Sequence, residues 1–205
     1  MVRMRHLPIV IPYIIFLALL GCSKPNAVKQ DWLNHTPCAP PCWSNIEPGV
    51  TTGDQVDEML KQNSLVDANS ITTGKVGSIL TGISWSFLEG GWEGRTGYMT
   101  EDPEKKLTYL HLDTPDLCLK EIISAYGEPS SLNLPVYQKT GRVDLIWEKD
   151  SFIYITDLNG PGEEIKPDTC GGMIVQVAKG TMPADITVGP PADSDLVPWH
   201  GYGKY

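Results

Sequence analysis

Apolar positions recur at helical spacing in two places, Val56, Met59 and Leu60, then Leu119, Ile122, Ile123 and Tyr126. Each set makes a stripe along one face of a helix. The first helix is predicted from about Gly53 to Gln62, entered through Thr52, with Gln55 three residues on. That pair forms a capping box, each side chain satisfying the other's free backbone N–H. The second is predicted to open at Thr114-Pro115-Asp116: a capping hydroxyl, a proline at the first helical position and an acid where the dipole favours it. Gly127 and Pro129 end it.

Between and after these stripes the pattern shortens to strands. Ile83–Leu88, Thr96–Thr100 and Leu107–Leu112 follow the first helix; Leu134–Gln138, Val143–Glu148, Phe152–Thr156 and Met173–Ala178 follow the second. Turns at Gly90-Gly91, Asp102-Pro103, Thr140-Gly141 and Lys149-Asp150 separate several of them. Val143, Leu145 and Trp147 alternate with Asp144, Ile146 and Glu148, as in an antiparallel strand with one buried face. The fold class is therefore α+β: helix then about three antiparallel strands, twice, an αβββ-αβββ-like order around one core. The halves span 46–113 and 114–180, and their entrances at Thr52 and Thr114 lie 62 residues apart. Residues 181–205 hold Pro183, Pro190, Pro191 and Pro198 without periodicity, which reads as a disordered Pro-rich tail.

A third pattern stands at the start, the apolar run Leu7 to Leu20 behind Arg3 and Arg5. Its 14 residues fall short of the roughly 20 that span a bilayer, so it reads as a removable export signal. The run ends in Leu19-Leu20-Gly21-Cys22, which resembles the lipobox of bacterial lipoproteins. The resemblance implies a signal peptide over 1–21 and a thioether-linked diacylglycerol on Cys22. Residues 22–45 then form a lipid-anchored tether and Cys/Pro-rich loop, held outside the cytosol by two acyl chains. Ser23 implies the outer membrane where the host has two. A Thr-opened helix, the Gly127-Glu128-Pro129 stop and a following hairpin also resemble small lipoproteins of outer-membrane assembly and the tandem repeats of β-lactamase-inhibitor-like proteins.

The formal charge is −9, and loss of Arg3 and Arg5 with the leader takes it to −11. An acidic chain without a Lys/Arg stripe argues against nucleic acid as partner and against an electrostatic grip on anionic lipid. Cys38, Cys42, Cys118 and Cys170 are an even set in an exported chain, which favours disulfides over metal. Of three pairings the preferred one joins Cys38 to Cys42 across Ala39-Pro40-Pro41, and Cys118 to Cys170 across a long loop. The competing zinc site from His35, Cys38 and Cys42 lacks a fourth ligand.

Chemistry is sparse, and no cofactor is expected. The glycine-dense stretch Gly90 to Gly97 lacks the strand-to-helix setting of a phosphate cradle and reads as a hairpin tip. If it binds anything, Trp92 and Arg95 are the contacts. Trp85, Trp92, Tyr98, Tyr109 and Trp147 could offer a stacking surface to sugar or peptide, although strand aromatics are more often core. Asp157 to Gly162 is similar to a calcium loop, but Pro161 falls at the fifth position and Asp168 replaces the usual bidentate Glu at the twelfth, so a polar connecting loop is expected. His35, His111 and His200 form no zinc-protease pair, and no Gly-x-Ser-x-Gly elbow exists. Asp144 with Glu148, or a dispersed Ser/His/Asp set, would have to meet in space. These observations point to a lipid-anchored, non-catalytic binding or scaffolding module of the cell envelope. Its expected contact surface is the sheet face opposite the helices, and its partner another envelope protein or a glycan. A small hydrolase with a dispersed site is the rival from another class.

Overall fold

The computed structural model describes residues 26–76, 78–133, 138–179 and 196–205. The leader, Cys22, most of the strand predicted at Leu134–Gln138, and 181–195 of the predicted tail lie outside the described residues. Three α-helices, α1 (Ala27–Leu33), α2 (Gly53–Gln62) and α3 (Leu119–Tyr126), a 3-10 turn at Ala68–Ser70 and nine strands are described, and residues 138–140 are helical, so Gln138 does not end a strand as expected. The strands are β1 (Thr72–Val76), β2 (Leu80–Ser86), β3 (Glu93–Met99), β4 (Leu107–Asp113), β5 (Ser131–Asn133), β6 (Arg142–Trp147), β7 (Phe152–Asp157), β8 (Met173–Val177) and β9 (Leu196–Pro198). They form one open antiparallel sheet in the order β1-β2-β3-β4-β8-β7-β6-β5-β9. The mixed helix and antiparallel-sheet class is as expected from the sequence.

All three helices pack on one face. Val28 and Trp32 of α1, Val56 and Leu60 of α2, and Leu119 and Ile122 of α3 join Ile83, Trp85, Leu110, Leu112, Leu145, Trp147, Phe152 and Tyr154 in one core. Each such aliphatic side chain withdrawn from water contributes about 1.5–3 kcal/mol. The Thr52–Gln55 capping box closes α2 at the predicted residue. Both predicted disulfides are present, Cys38–Cys42 and Cys118–Cys170.

Four expectations need correction. The second helix does not open at Thr114 but five residues later at Leu119, capped by Cys118 and Glu121. Backbone pairing of Leu117 with Gly171, and the Cys118–Cys170 bridge, hold 117–118 extended where the local signals favoured a helix. The tether is not all tether, because Ala27–Leu33 is helical and docked through Trp32, which meets Tyr126 and Phe152. The tail is ordered over its described part: β9 pairs with β5, and Trp199 stacks on Tyr205 at 5.7 Å. Finally, β6 is buried on both faces, because Ile146 joins Ile153, Ile155 and Val175 in a second apolar cluster on the sheet's other side.

Candidate functional site

The register of β1 to β4 aligns side chains into rows across the strands on the face turned away from the helices. One row runs Gly74, Gly82, Gly97, Tyr109, each directly opposite the next. A second runs Thr72, Ser84, Arg95, His111, and a third Ser86, Glu93, Asp113. Small residues leave the backbone bare, and a groove of about 560 Å³ opens over these strands. A Cβ on Gly74 would meet nothing within 4 Å, whereas one on Gly82 would fall 2.9 Å from Val76 Cγ2, and one on Gly97 3.2 Å from the Tyr109 ring. Val76 and Tyr109 therefore lean over the glycine row from its two sides.

The polar groups around the groove are already paired. Thr72 and Ser84 hydroxyls lie 2.8 Å apart, and Thr96 donates its hydroxyl to the Tyr109 carbonyl. Asp113 ties two neighbours together, accepting from Arg95 Nη2 at 2.8 Å and lying 3.0 Å from His111 Nε2. Burial lowers the pKa of His111, against the opposing pull of Asp113. Burial likewise raises that of the Tyr109 phenol. Ser84 faces Thr72 and His111 faces Asp113, so the arrangement activates neither as a nucleophile–base pair would.

The groove runs to the edge of the sheet. All five residues of β1 are exposed, and Val76, Ile79 and Met99 form an apolar tip at the β1–β2 end, each 40% exposed or more. The opposite edge, β9, has three residues among those described and ends in Pro198.

Comparison of the chain with protein-family models, curated proteins and solved structures finds no match.

Of the expected contact residues, only Arg95 reaches this groove with its side chain. Trp92 is fully buried and donates Nε1 to Asp116 Oδ1 at 2.5 Å. Trp85 lies in the core, stacked near Trp43. Tyr98 is half-buried against the start of α2, its ring 2.2 Å from where a Gly53 Cβ would stand. Trp147 stacks on Phe152 at 4.9 Å and donates to the Gly127 carbonyl. Tyr109 is thus the one member of the suggested aromatic set facing the groove, and the glycine-dense stretch is a turn only at Gly90-Gly91, as expected, while Gly94 to Gly97 lie within β3.

The other candidates are scattered. Asp144 is buried and gripped by Arg142 at 2.6 and 3.1 Å; burial raises its pKa, while Glu148 lies exposed beyond the end of β6. His35 stacks on Tyr126 and His200 on Tyr205, each far in sequence and partner from His111. Cys38 and Cys42 are bonded to each other, so they offer no thiolates to zinc. Among the described residues no three His, Cys, Asp or Glu side chains converge in a metal-holding group. The Asp157–Gly162 segment is a connecting loop, with Leu158 N–H bonded to the Gly141 carbonyl. Sequence reading missed β1 altogether: Thr72-Thr73-Gly74-Lys75-Val76 has too little apolar content to signal a strand, and the glycine row exists only once strands are paired.

Proposed function

We propose that the chain is a lipid-anchored protein of the cell envelope that binds another envelope protein through the open face and free edge of β1–β3. The observation that carries this is the conjunction of a fully exposed β1, whose outer edge meets no strand among the described residues, with a groove and the apolar tip of Val76, Ile79 and Met99. An extended segment added beside β1 would take up its free backbone groups, and the tip would supply apolar contact. The lipobox-like Leu19-Leu20-Gly21-Cys22 supports membrane attachment through a diacylglycerol on Cys22, on the extracytoplasmic side. The element order, α2 with β1–β4 and α3 with β5–β8, supports the reading of two related halves and the likeness to β-lactamase-inhibitor-like repeats.

A glycan is the second reading, favoured by Tyr109 beside the hydroxyls of Thr72, Ser84 and Ser86. The test is photo-crosslinking in the native host from Lys75 and Ser84, with the exposed Glu58 of α2 as control. A protein adduct from Lys75 or Ser84 and none from Glu58 supports the proposal. No adduct from either, with glycan-array binding lost on Tyr109→Ala, would transfer the site to the glycan reading. Mass spectrometry of the N-terminal peptide tests the lipid on Cys22; an unmodified Met1 start would remove the anchor.

A further inference from the structure

The lipid anchor implies an orientation, because the leash behind it is short. Cys22 lies four residues before Asn26, the cap of α1. Four fully extended residues reach no more than about 14 Å. Asn26 is itself fixed, since its Oδ1 accepts from the N–H groups of Val28 at 3.0 Å and Lys29 at 3.3 Å. The helix it opens cannot swing out cheaply. Val28 and Trp32 are buried, Lys29 Nζ pairs with Glu121 at 2.8 Å, and the Tyr126 hydroxyl donates to the Trp32 carbonyl.

The surface beside Asn26 is the turn between β2 and β3. Gly90 lies so close that a Cβ on it would fall 2.2 Å from Asn26 Nδ2. Leu88 and Glu89 share one small cleft with Asn26, Val28, Ser64 and Leu65. Leu88 is held there by its N–H, bonded to the Leu65 carbonyl at 2.9 Å, yet its side chain is 62% exposed.

We propose that the bilayer surface is the partner of this turn: the anchored body stands on the membrane through Leu88–Gly91, with Leu88 at the headgroups. The inference rests on lipidation of Cys22. An exposed leucine fixed within leash range of two acyl chains meets lipid before it meets anything else. No Lys or Arg lines the cleft and Glu89 does, so the contact is apolar and tethered rather than electrostatic. Ile79, nine residues back along β2, then stands about 30 Å from the turn at roughly 3.3 Å per residue. The apolar tip and the free edge of β1 are thereby presented away from the bilayer.

The experiment uses the lipidated full chain in phosphatidylethanolamine/phosphatidylglycerol vesicles containing headgroup-nitroxide lipid. A fluorophore is attached at Leu88→Cys or, separately, at Ile79→Cys. Quenching should be several-fold stronger at 88 than at 79, and unchanged when the phosphatidylglycerol fraction is varied. Inserting eight Gly/Ser residues between Cys22 and Asn26 should abolish most of the difference. Equal quenching at both positions in a sample whose Cys22 lipid is confirmed by mass spectrometry would overturn the orientation and leave the anchor standing. Undiminished quenching at 88 after the insertion would overturn the leash as its cause. A chain that carries no lipid and fails to float with vesicles would remove both.

Discussion

Gly94→Ala is the sharpest test of the packing that supports the groove. Gly94 lies directly opposite Trp85 on the helix-facing side of the sheet, and a Cβ there would fall 2.1 Å from two atoms of the indole. Trp85 cannot retreat. Its ring lies 6.1 Å from that of Trp43 in a stacked arrangement and 6.3 Å from that of Phe87, which itself meets Trp43 edge-on at 5.1 Å. Forcing one methyl into such a site costs about 1–3 kcal/mol. Loosening an aromatic pair adds about 0.5–1.5 kcal/mol. A loss of about 3 kcal/mol corresponds to a Tm drop of roughly 6–12 °C for a chain of this size. Two other glycines provide internal controls. Gly82→Ala meets only the end of the exposed Val76 side chain, which can rotate, and Gly74→Ala meets nothing. Thermal melts followed by near-UV circular dichroism should rank Gly94→Ala far below the other two. If Gly94→Ala melts within about 2 °C of wild type, or Gly74→Ala is as damaging, Trp85 is not wedged as described.

Three further outcomes follow from single contacts. Replacing Cys118 and Cys170 by Ala opens a loop of sequence separation 52 and should lower stability by about 4 kcal/mol in urea titrations, well beyond the effect of removing Cys38 and Cys42, whose separation is 4. His111 has a folded pKa below its ordinary value, so between the two the unfolded chain binds more protons; stability should fall as pH drops below about 6.5 and level off under the folded pKa. His111→Gln should flatten that slope in urea titrations at pH 7.5 and 5, and an unaltered slope would assign it to another group. Gly127→Val should cost about 1–3 kcal/mol, because φ is +78° and ψ −173° there, a region essentially reserved for glycine, although a Cβ would meet nothing, and Gly127→Asn should cost about as much, since asparagine is favoured only in the left-handed helical region; wild-type stability of either variant by urea denaturation would place the strain elsewhere.

What was legible in the sequence is what short-range physics decides. The capping box of α2 involves atoms three residues apart, and the Gly127 stop needs only its own backbone, so both stand where the pattern put them. The start of α3 was misplaced because Thr114 and Asp116, which look like cap and first-turn acid, are engaged elsewhere: Thr114 bonds Gly172 and Asp116 takes the Trp92 indole. α1 carries seven residues and buries only Val28 and Trp32, too little periodicity to announce a helix without the partners it docks on. The aromatics were the least legible. Nothing local distinguishes a strand tryptophan facing the helices from one facing solvent, and a parity error moves every side chain to the other face. Thus Trp85 and Trp92 turned out to be core while Tyr109, of the same composition class, faces the groove.

An open antiparallel sheet has two edges, and this chain treats them differently. Among the described residues the β9 edge is short and finishes in proline, two devices that discourage further pairing. The β1 edge has neither, and Lys75 is its one charge. The same strands carry glycine at three successive positions across the sheet, a choice that weakens a strand, because glycine loses the most backbone entropy on folding and leaves nothing to pack. The compensation is on the other face, where Ile83, Trp85, Phe87, Leu110 and Leu112 are locked into the helix-side core. Stability in this half is thus supplied mainly from one side, and on the other side packing is confined to β4, where Tyr109 meets the second apolar cluster, so the β1–β2 part of that face is left bare. Changes at Thr72, Gly74, Ser84 or Arg95 should therefore leave folding nearly intact and register in binding, whereas changes one residue along the same strands, at Ile83 or Gly94, should register in stability first. A fold that separates the two so cleanly by strand parity is one in which the bare face can be shaped by a partner without disturbing the core beneath it.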